Sequence, residues 1–287
     1  MLSYQHDYHA GNHADVLKHA VLAVLVEALQ RKKTPIRVLD SHAGAGCYDL
    51  DGEMAQHGRE YETGIARLLE APSPPSCAQP YLGVVRAHNV DGRLRFYPGS
   101  PQLALALLRE QDRLELFELH PQAAAALRAR FGANPRVHVH VRDGFEGIAA
   151  VVPPKERRGI ALVDPSYEQR HDFERAAATL AACLARWPNG VTAIWYPLLA
   201  RRGAGRLLDA VRRLRAPRTL RVELVAAPAA PGLRGSGLVI ANLPYRVEDE
   251  LDALLPWLAR TLAPVGGAWT TQWLNQQAGT GRRAGLP

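Results

Sequence analysis

Ile36-Arg37-Val38-Leu39-Asp40, followed by Ser41-His42-Ala43-Gly44-Ala45-Gly46, is a buried-type strand running into a glycine-rich turn. Without side chains at Gly44 and Gly46, a ligand can lie close against the backbone at the carboxyl end of that strand. Asp49 stands where a dinucleotide fingerprint needs its third glycine, and no Gly-Lys-Ser/Thr follows. A dehydrogenase and a P-loop enzyme are therefore both disfavoured.

Upstream, residues 13–33 read as one apolar helix. Asn12 is its N-cap, Asp15 makes an approximate capping box, and Arg31-Lys32-Lys33 lie at the negative end of the dipole. Lys18 and His19 fall in its first two turns, beside residues that should face the core. The arm before it, MLSYQHDYHAGNH, is dense in Tyr, His and Asn.

Downstream, a ribose-binding acid is due about 20 residues after the turn. The next strand, Leu114–Leu119, comes much later, so residues 47–96 read as an inserted helical subdomain. Its two helical stretches, Glu60–Leu69 and Tyr81–Asn89, flank a Pro/Ser-rich segment. Tyr97-Pro98-Gly99-Ser100-Pro101 closes the insertion, and Glu118 then arrives at the required interval.

From Glu118 onward strands and helices alternate. Val137–Val141 stops at Arg142-Asp143-Gly144-Phe145, and Gly159–Tyr167, GIALVDPSY, is an apolar strand ending in an acid, a proline turn and an aromatic. Such a run suits a strand buried on both faces, with chemistry at its carboxyl end. A helix over Phe173–Arg186 and a strand over Val191–Tyr196 follow, then the strands Thr219–Val225 and Gly237–Ala241. The alternation implies one doubly wound, mostly parallel α/β sheet spanning residues 1–46 and 97–277. Residues 278–287, rich in Gly and Arg, are expected to fray. Asn242-Leu243-Pro244-Tyr245 imitates a catalytic turn, but its place in the last strand pair argues for a structural one.

Composition narrows the classes further. Nearly half the residues are hydrophobic, enough for a full core. The longest apolar run, Ala20–Ala28, contains Glu27 and is too short for a bilayer, and Tyr4, His6, Asp7 and His9 break any signal pattern. A cytoplasmic protein without a membrane partner is the expectation. Cys47, Cys77 and Cys183 form neither a disulfide framework nor a zinc pair, and His138 and His140 alternate on a solvated strand face, so no metal is expected. The net charge of +7 suits a polyanionic partner. Residues 201–221 carry eight arginines against one acid, Asp209, with apolar residues at helical spacing. That face is either solvated or a nucleic-acid contact.

Taken together, MLSYQHDYHAGNHADVLKH at 1–19, LDSHAGAG at 39–46, YPGSP at 97–101, ELHP at 118–121, DGF at 143–145 and DPSY at 164–167 resemble the RlmJ-type 23S ribosomal RNA adenine-N6 methyltransferases. The resemblance covers all but the final tail. It implies a seven-stranded Rossmann-like fold, S-adenosyl-L-methionine as cofactor, 23S ribosomal RNA as partner and a monomer. His19, His42, Ser100, Glu118, Asp143, Gly144 and Asp164 are implied as donor contacts. Glu118 would accept from the ribose hydroxyls, and Asp143 with Gly144 would read the donor's adenine edge. Asp164 and the Pro165 carbonyl are implied as catalytic acceptors for the target amine, Tyr167 as a stacking platform, and Tyr4, His6 and Lys18 as RNA contacts. Ser166 departs from the family pattern by replacing its second proline, which loosens the turn and puts the angle of Tyr167 in doubt. A DNA adenine methyltransferase is the rival enzyme, but such enzymes carry a target-reading domain larger than this insertion. A non-catalytic RNA-binding module on the same fold is the rival outside enzymes; it would lack the acids that are all present here.

Overall fold

The apolar runs are the strands of one sheet in the computed structural model, which describes residues 5–169, 171–199, 204–227, 230–275 and 282–285. The chain begins with α1 (His13–Gln30), β1 (Arg37–Asp40), β2 (Cys47–Asp49), α2 (Glu53–Gly58), α3 (Ile65–Glu70), α4 (Gln79–Ala87) and β3 (Phe96–Pro98). It continues through α5 (Ser100–Leu107), β4 (Arg113–Phe117), α6 (Pro121–Phe131), β5 (Val137–His140), α7 (Gly144–Val151) and β6 (Gly159–Val163). Then follow α8 (Asp172–Arg186), β7 (Val191–Leu199), α9 (Gly205–Leu214), β8 (Leu220–Val225) and β9 (Leu233–Ala241). The chain closes with α10 (Val247–Leu262), β10 (Ala268–Trp273) and β11 (Arg282–Gly285).

The sheet runs β11-β10-β8-β9-β7-β6-β1-β4-β5. Strands β5, β4, β1, β6 and β7 are parallel, and every pairing beyond β7 is antiparallel. The chain leaves β1 for β4 on one side and returns to β6 on the other. The gap between β1 and β6 is thus the topological switch point, where such sheets bind ligands. Alternation within strands feeds two cores. Val38, Ile160 and Leu162 pack on one face with α1, α5 and α10, while Leu39, Ala161 and Val163 pack on the other with α7, α8 and α9. Both faces are covered, which is why these strands read as unbroken apolar runs.

Helix α1 is buried almost throughout because it lies between the sheet and α4, α5 and α10. It stops at Gln30, short of the expected Lys33, since Thr34 precedes a proline and is steered away from helix. The α/β class expected from sequence is borne out, but the sheet has nine strands rather than seven. Strand β10 was passed over, and β11 falls in the tail expected to fray; Trp269 pairs with Gly285 and Gln272 with Arg282. Backbone pairing alone makes a strand of an Arg/Gly segment with no apolar pattern, so context overrides propensity there.

Residues 47–98 are not purely helical: β2 and β3 pair antiparallel and carry α2, α3 and α4 between them. The expected Glu60–Leu69 helix is broken at Gly64. A Cβ there would come within 2.0 Å of the Gly11 carbonyl, and Ile65 N–H donates to that same oxygen at 2.9 Å. The insertion therefore seats directly on the start of α1.

Candidate active site

At the carboxyl ends of β1, β4, β6 and β7 lies a cleft of about 580 Å³. Its wall is built from the turn after β1, the first turns of α1, α5 and α7, and the segment after β6. Of the residues singled out by sequence, His6, Lys18, His19, His42, Ser100, Glu118, Asp143, Gly144, Asp164, Pro165 and Tyr167 all line it. Tyr4 lies outside the described residues.

The floor is an ionic chain. Asn12 caps α1, accepting from the N–H groups of Ala14 and Asp15. Asp15 accepts from Gly11 N–H at 3.0 Å and contacts His6 Nε2 at 2.9 Å through Oδ2, while Oδ1 receives Lys18 Nζ at 2.8 Å. Lys18 Nζ also donates to Asp164 Oδ2 at 2.6 Å. Burial alone would drive the proton off Lys18, but the carboxylates of Asp15 and Asp164 outweigh it and hold the ammonium well above its usual range. Burial likewise opposes ionisation of Asp15, yet His6 and Lys18 outweigh it and keep it well below the usual carboxylate range. Among the described residues neither Asp164 Oδ1 nor the Pro165 carbonyl has a hydrogen-bond donor. Lys18, expected near the RNA, lines the cleft and is paired with Asp164.

On the other wall Glu118 is held by two backbone donors, Gly44 N–H on Oε2 at 2.8 Å and His120 N–H on Oε1 at 2.7 Å. Each oxygen keeps a lone pair for another hydroxyl. Gly44 sits at φ +59°, where an added Cβ would meet the Tyr48 hydroxyl at 2.3 Å. His19 Nδ1 lies 2.6 Å from the Tyr97 hydroxyl, and its ring stacks on Tyr97. Among the described residues its Nε2 is buried without a partner. Ser100 donates to Asp40 at 2.6 Å, and burial of Asp40 raises that carboxyl to about 6 despite the bond.

Asp143 does more than the sequence implied. Oδ1 caps α7 through Phe145 and Glu146 N–H, and Oδ2 accepts from Arg175 at 2.6 Å. The Arg175 guanidinium also lies 4.3 Å over the Phe145 ring. Asp15, Asp40 and Arg175 are the residues that sequence reasoning missed in these roles. Asp15 was visible only as a capping residue, although its spacing of three from Lys18 puts both on one helix face. Arg175 gave no signal on an ordinary helix surface.

Tyr167 adopts φ +55° and is tucked in: its hydroxyl donates to the Trp195 carbonyl at 2.5 Å and its ring lies 4.3 Å from Phe173. The rival turn at Asn242 lies at the amino ends of the parallel strands, opposite the cleft, because Ala241 pairs with Thr192 at the start of β7. Its amide donates to the carbonyls of Pro188 and Gly190 at 2.9 and 2.8 Å. Asn242→Ala should cost roughly 2 kcal/mol, from two lost hydrogen bonds. Urea unfolding measures the loss, and turnover per folded molecule should not change.

Burial lowers His42 to about 4 and His19 to about 3 from the ordinary 6.5. The unfolded chain takes up protons that these rings refuse, so their stability contribution is complete above about pH 6.5 and drains as pH falls toward the folded values. Stepped-pH urea unfolding should show that slope, and His42→Gln should flatten part of it.

Among the described residues, no group of three or more His, Cys, Asp or Glu is placed to hold a metal ion, and no helix is long and apolar enough to cross a membrane. His138 and His140 both reach Glu115, at 3.2 and 2.6 Å.

The chain is 41% identical over 277 residues to the Ribosomal RNA large subunit methyltransferase J of Escherichia coli, covering 96% of this chain and 99% of that one. It is 38% identical to the protein of the same name from Haemophilus influenzae, over 96% of this chain and 100% of that one. A crystal structure of a Legionella pneumophila protein superposes with a TM-score of 0.86 at 32% identity, covering 92% of this chain and 98% of that one. Residues 33–275 match the family described as "RsmJ: Ribosomal RNA large subunit methyltransferase D, RlmJ", and the chain belongs to that family.

Proposed function

We propose that the chain transfers a methyl group from S-adenosyl-L-methionine to the exocyclic N6 of an adenine in 23S ribosomal RNA. One observation carries the reading: Lys18 occupies Oδ2 of Asp164, while Oδ1 and the Pro165 carbonyl, on two residues lining the cleft, have no donor among the described residues. Two adjacent unengaged acceptors match the two hydrogens of an aromatic amine. Family membership supports ribosomal RNA as the substrate.

The cleft also fits the donor. Among the described residues His19 Nε2 is a buried polar atom lacking a partner, and Glu118 has spare lone pairs on both oxygens. When bound, the donor supplies an electrophilic methyl on a sulfonium. Glu118 accepts from the ribose hydroxyls, and His19, His42 and Ser100 border the rest. Asp143 shares its carboxylate with Arg175, so adenine reading falls more to the Gly144 N–H than the sequence implied.

Asp164 Oδ1 and the Pro165 carbonyl accept the two amine hydrogens and turn the nitrogen lone pair toward the methyl. Positioning and fixed dipoles then supply most of the rate. The base must leave its stack to enter. Tyr167, flanked by Phe173 and Trp195, provides the wall it rests on, worth roughly 1–3 kcal/mol. His6 brings the arm to the same point. A cytoplasmic monomer is part of the same proposal, as the family resemblance implies.

The test is incubation with labelled donor and total RNA from cells lacking the enzyme, followed by nucleoside mass spectrometry. Label in N6-methyladenosine of the 23S fraction is expected. Label in another nucleoside, or faster reaction with DNA, would overturn the assignment.

A further inference from the structure

We infer that Asp15 is a positioning residue for methyl transfer, acting through Lys18 to keep one oxygen of Asp164 open for the amine. The inference rests on the function proposed above. Its basis is the division of labour in the floor of the cleft. Lys18 Nζ lies between Asp15 Oδ1 at 2.8 Å and Asp164 Oδ2 at 2.6 Å. All three side chains are largely or wholly buried, at 3, 6 and 12% exposure for Asp15, Lys18 and Asp164, so water does not screen them.

An ammonium facing a single buried carboxylate settles between its two oxygens. Here a second carboxylate pulls from the side and holds the ammonium on Oδ2 alone. Asp15 is itself fixed from behind, because Oδ2 accepts from Gly11 N–H at 3.0 Å and meets His6 Nε2 at 2.9 Å. The links His6–Asp15, Asp15–Lys18 and Lys18–Asp164 thus join the amino-terminal arm to the acceptor that touches substrate. Removing the Asp15 charge lets Lys18 slide toward Oδ1 and compete with the amine.

Asp15→Asn tests this, since the amide oxygen can still accept from Gly11 N–H. Single-turnover methyl transfer is measured at saturating donor and RNA across a pH series from neutral into the alkaline range, because a buried lysine held by one carboxylate instead of two gives up its proton more readily. Donor affinity by calorimetry and thermal unfolding serve as controls. The expected result is a rate loss of roughly 10–100-fold near neutral pH, the scale of a small misplacement at a reacting centre. Donor affinity is unchanged, and the deficit shrinks as the pH rises and Lys18 releases Asp164. A folded variant with the wild-type rate overturns the inference. So does a deficit that is flat with pH and matched by lost donor affinity, because that is what a merely structural role produces.

Should Asp15→Asn fail to fold, Asp15→Ser carries the same comparison; failure of both to fold assigns Asp15 to structure and overturns the positioning role. A wild-type protein inactive on every RNA counts against the proposed function. An active wild type with an equally active variant counts against Asp15 alone.

Discussion

Asp164→Ala is expected to leave a folded protein that still binds the methyl donor yet forms N6-methyladenosine on the order of 10³-fold more slowly. The fold tolerates the change because Lys18 keeps Asp15 as its counter-ion. Strand β6 ends at Val163, and the backbone bond from Asp164 N–H to Ser41 Oγ survives. What disappears is the carboxylate proposed to accept from the amine. Donor affinity falls little, since Glu118, proposed to hold the ribose, is untouched. Single-turnover transfer and calorimetry on one preparation separate the two effects. A variant that loses donor binding as completely as turnover contradicts the division of roles.

Lys18→Met is expected to have the largest effect on stability, about 3–5 kcal/mol, the usual cost of stripping a buried charge of its partner. It leaves Asp15 and Asp164 as two buried carboxylates on either side of an apolar side chain. Lys18, with His6, holds Asp15 below its ordinary 3.8 against the opposing effect of burial. That contribution is present above about pH 4 and lost as pH falls further. The deficit against wild type should therefore be complete at neutral pH and shrink on acidification. Denaturant unfolding at several pH values reads it directly, and a deficit that grows toward low pH contradicts the ionic account.

The parallel half of the fold was legible because burial on both faces forces an apolar run, as at Ile160–Val163, and because β1 ends at Asp40 while β4 and β6 run straight into Glu118 and Asp164. The cleft residues were legible through their fixed places after those strand ends: Glu118 after β4, Asp143 after β5, Asp164 after β6. Contacts between elements distant in sequence were not. Lys18 and Asp164 are 146 residues apart, and nothing local in either segment announces the pair. Arg175 reaches Asp143 from a neighbouring helix in the same way. Strand β11 was missed for a different reason, since its residues carry no pattern and its strand character comes from the partner β10. The Gly64 break is also a tertiary effect: the helix yields to the Gly11 carbonyl it docks on.

Ser166 in place of a second proline leaves the acceptor pair intact, with Tyr167 pinned by the Trp195 carbonyl instead. That bond supplies from strand β7 the restraint a proline would have supplied from the turn.

The grip on the amine is tested most directly by a crystal structure of the protein with the demethylated donor product and an adenine-containing oligonucleotide. The account predicts N6 within hydrogen-bonding distance of both Asp164 Oδ1 and the Pro165 carbonyl, with Lys18 still on Oδ2. An adenine whose amine points away from both acceptors, or a Lys18 that covers both oxygens of Asp164, contradicts it.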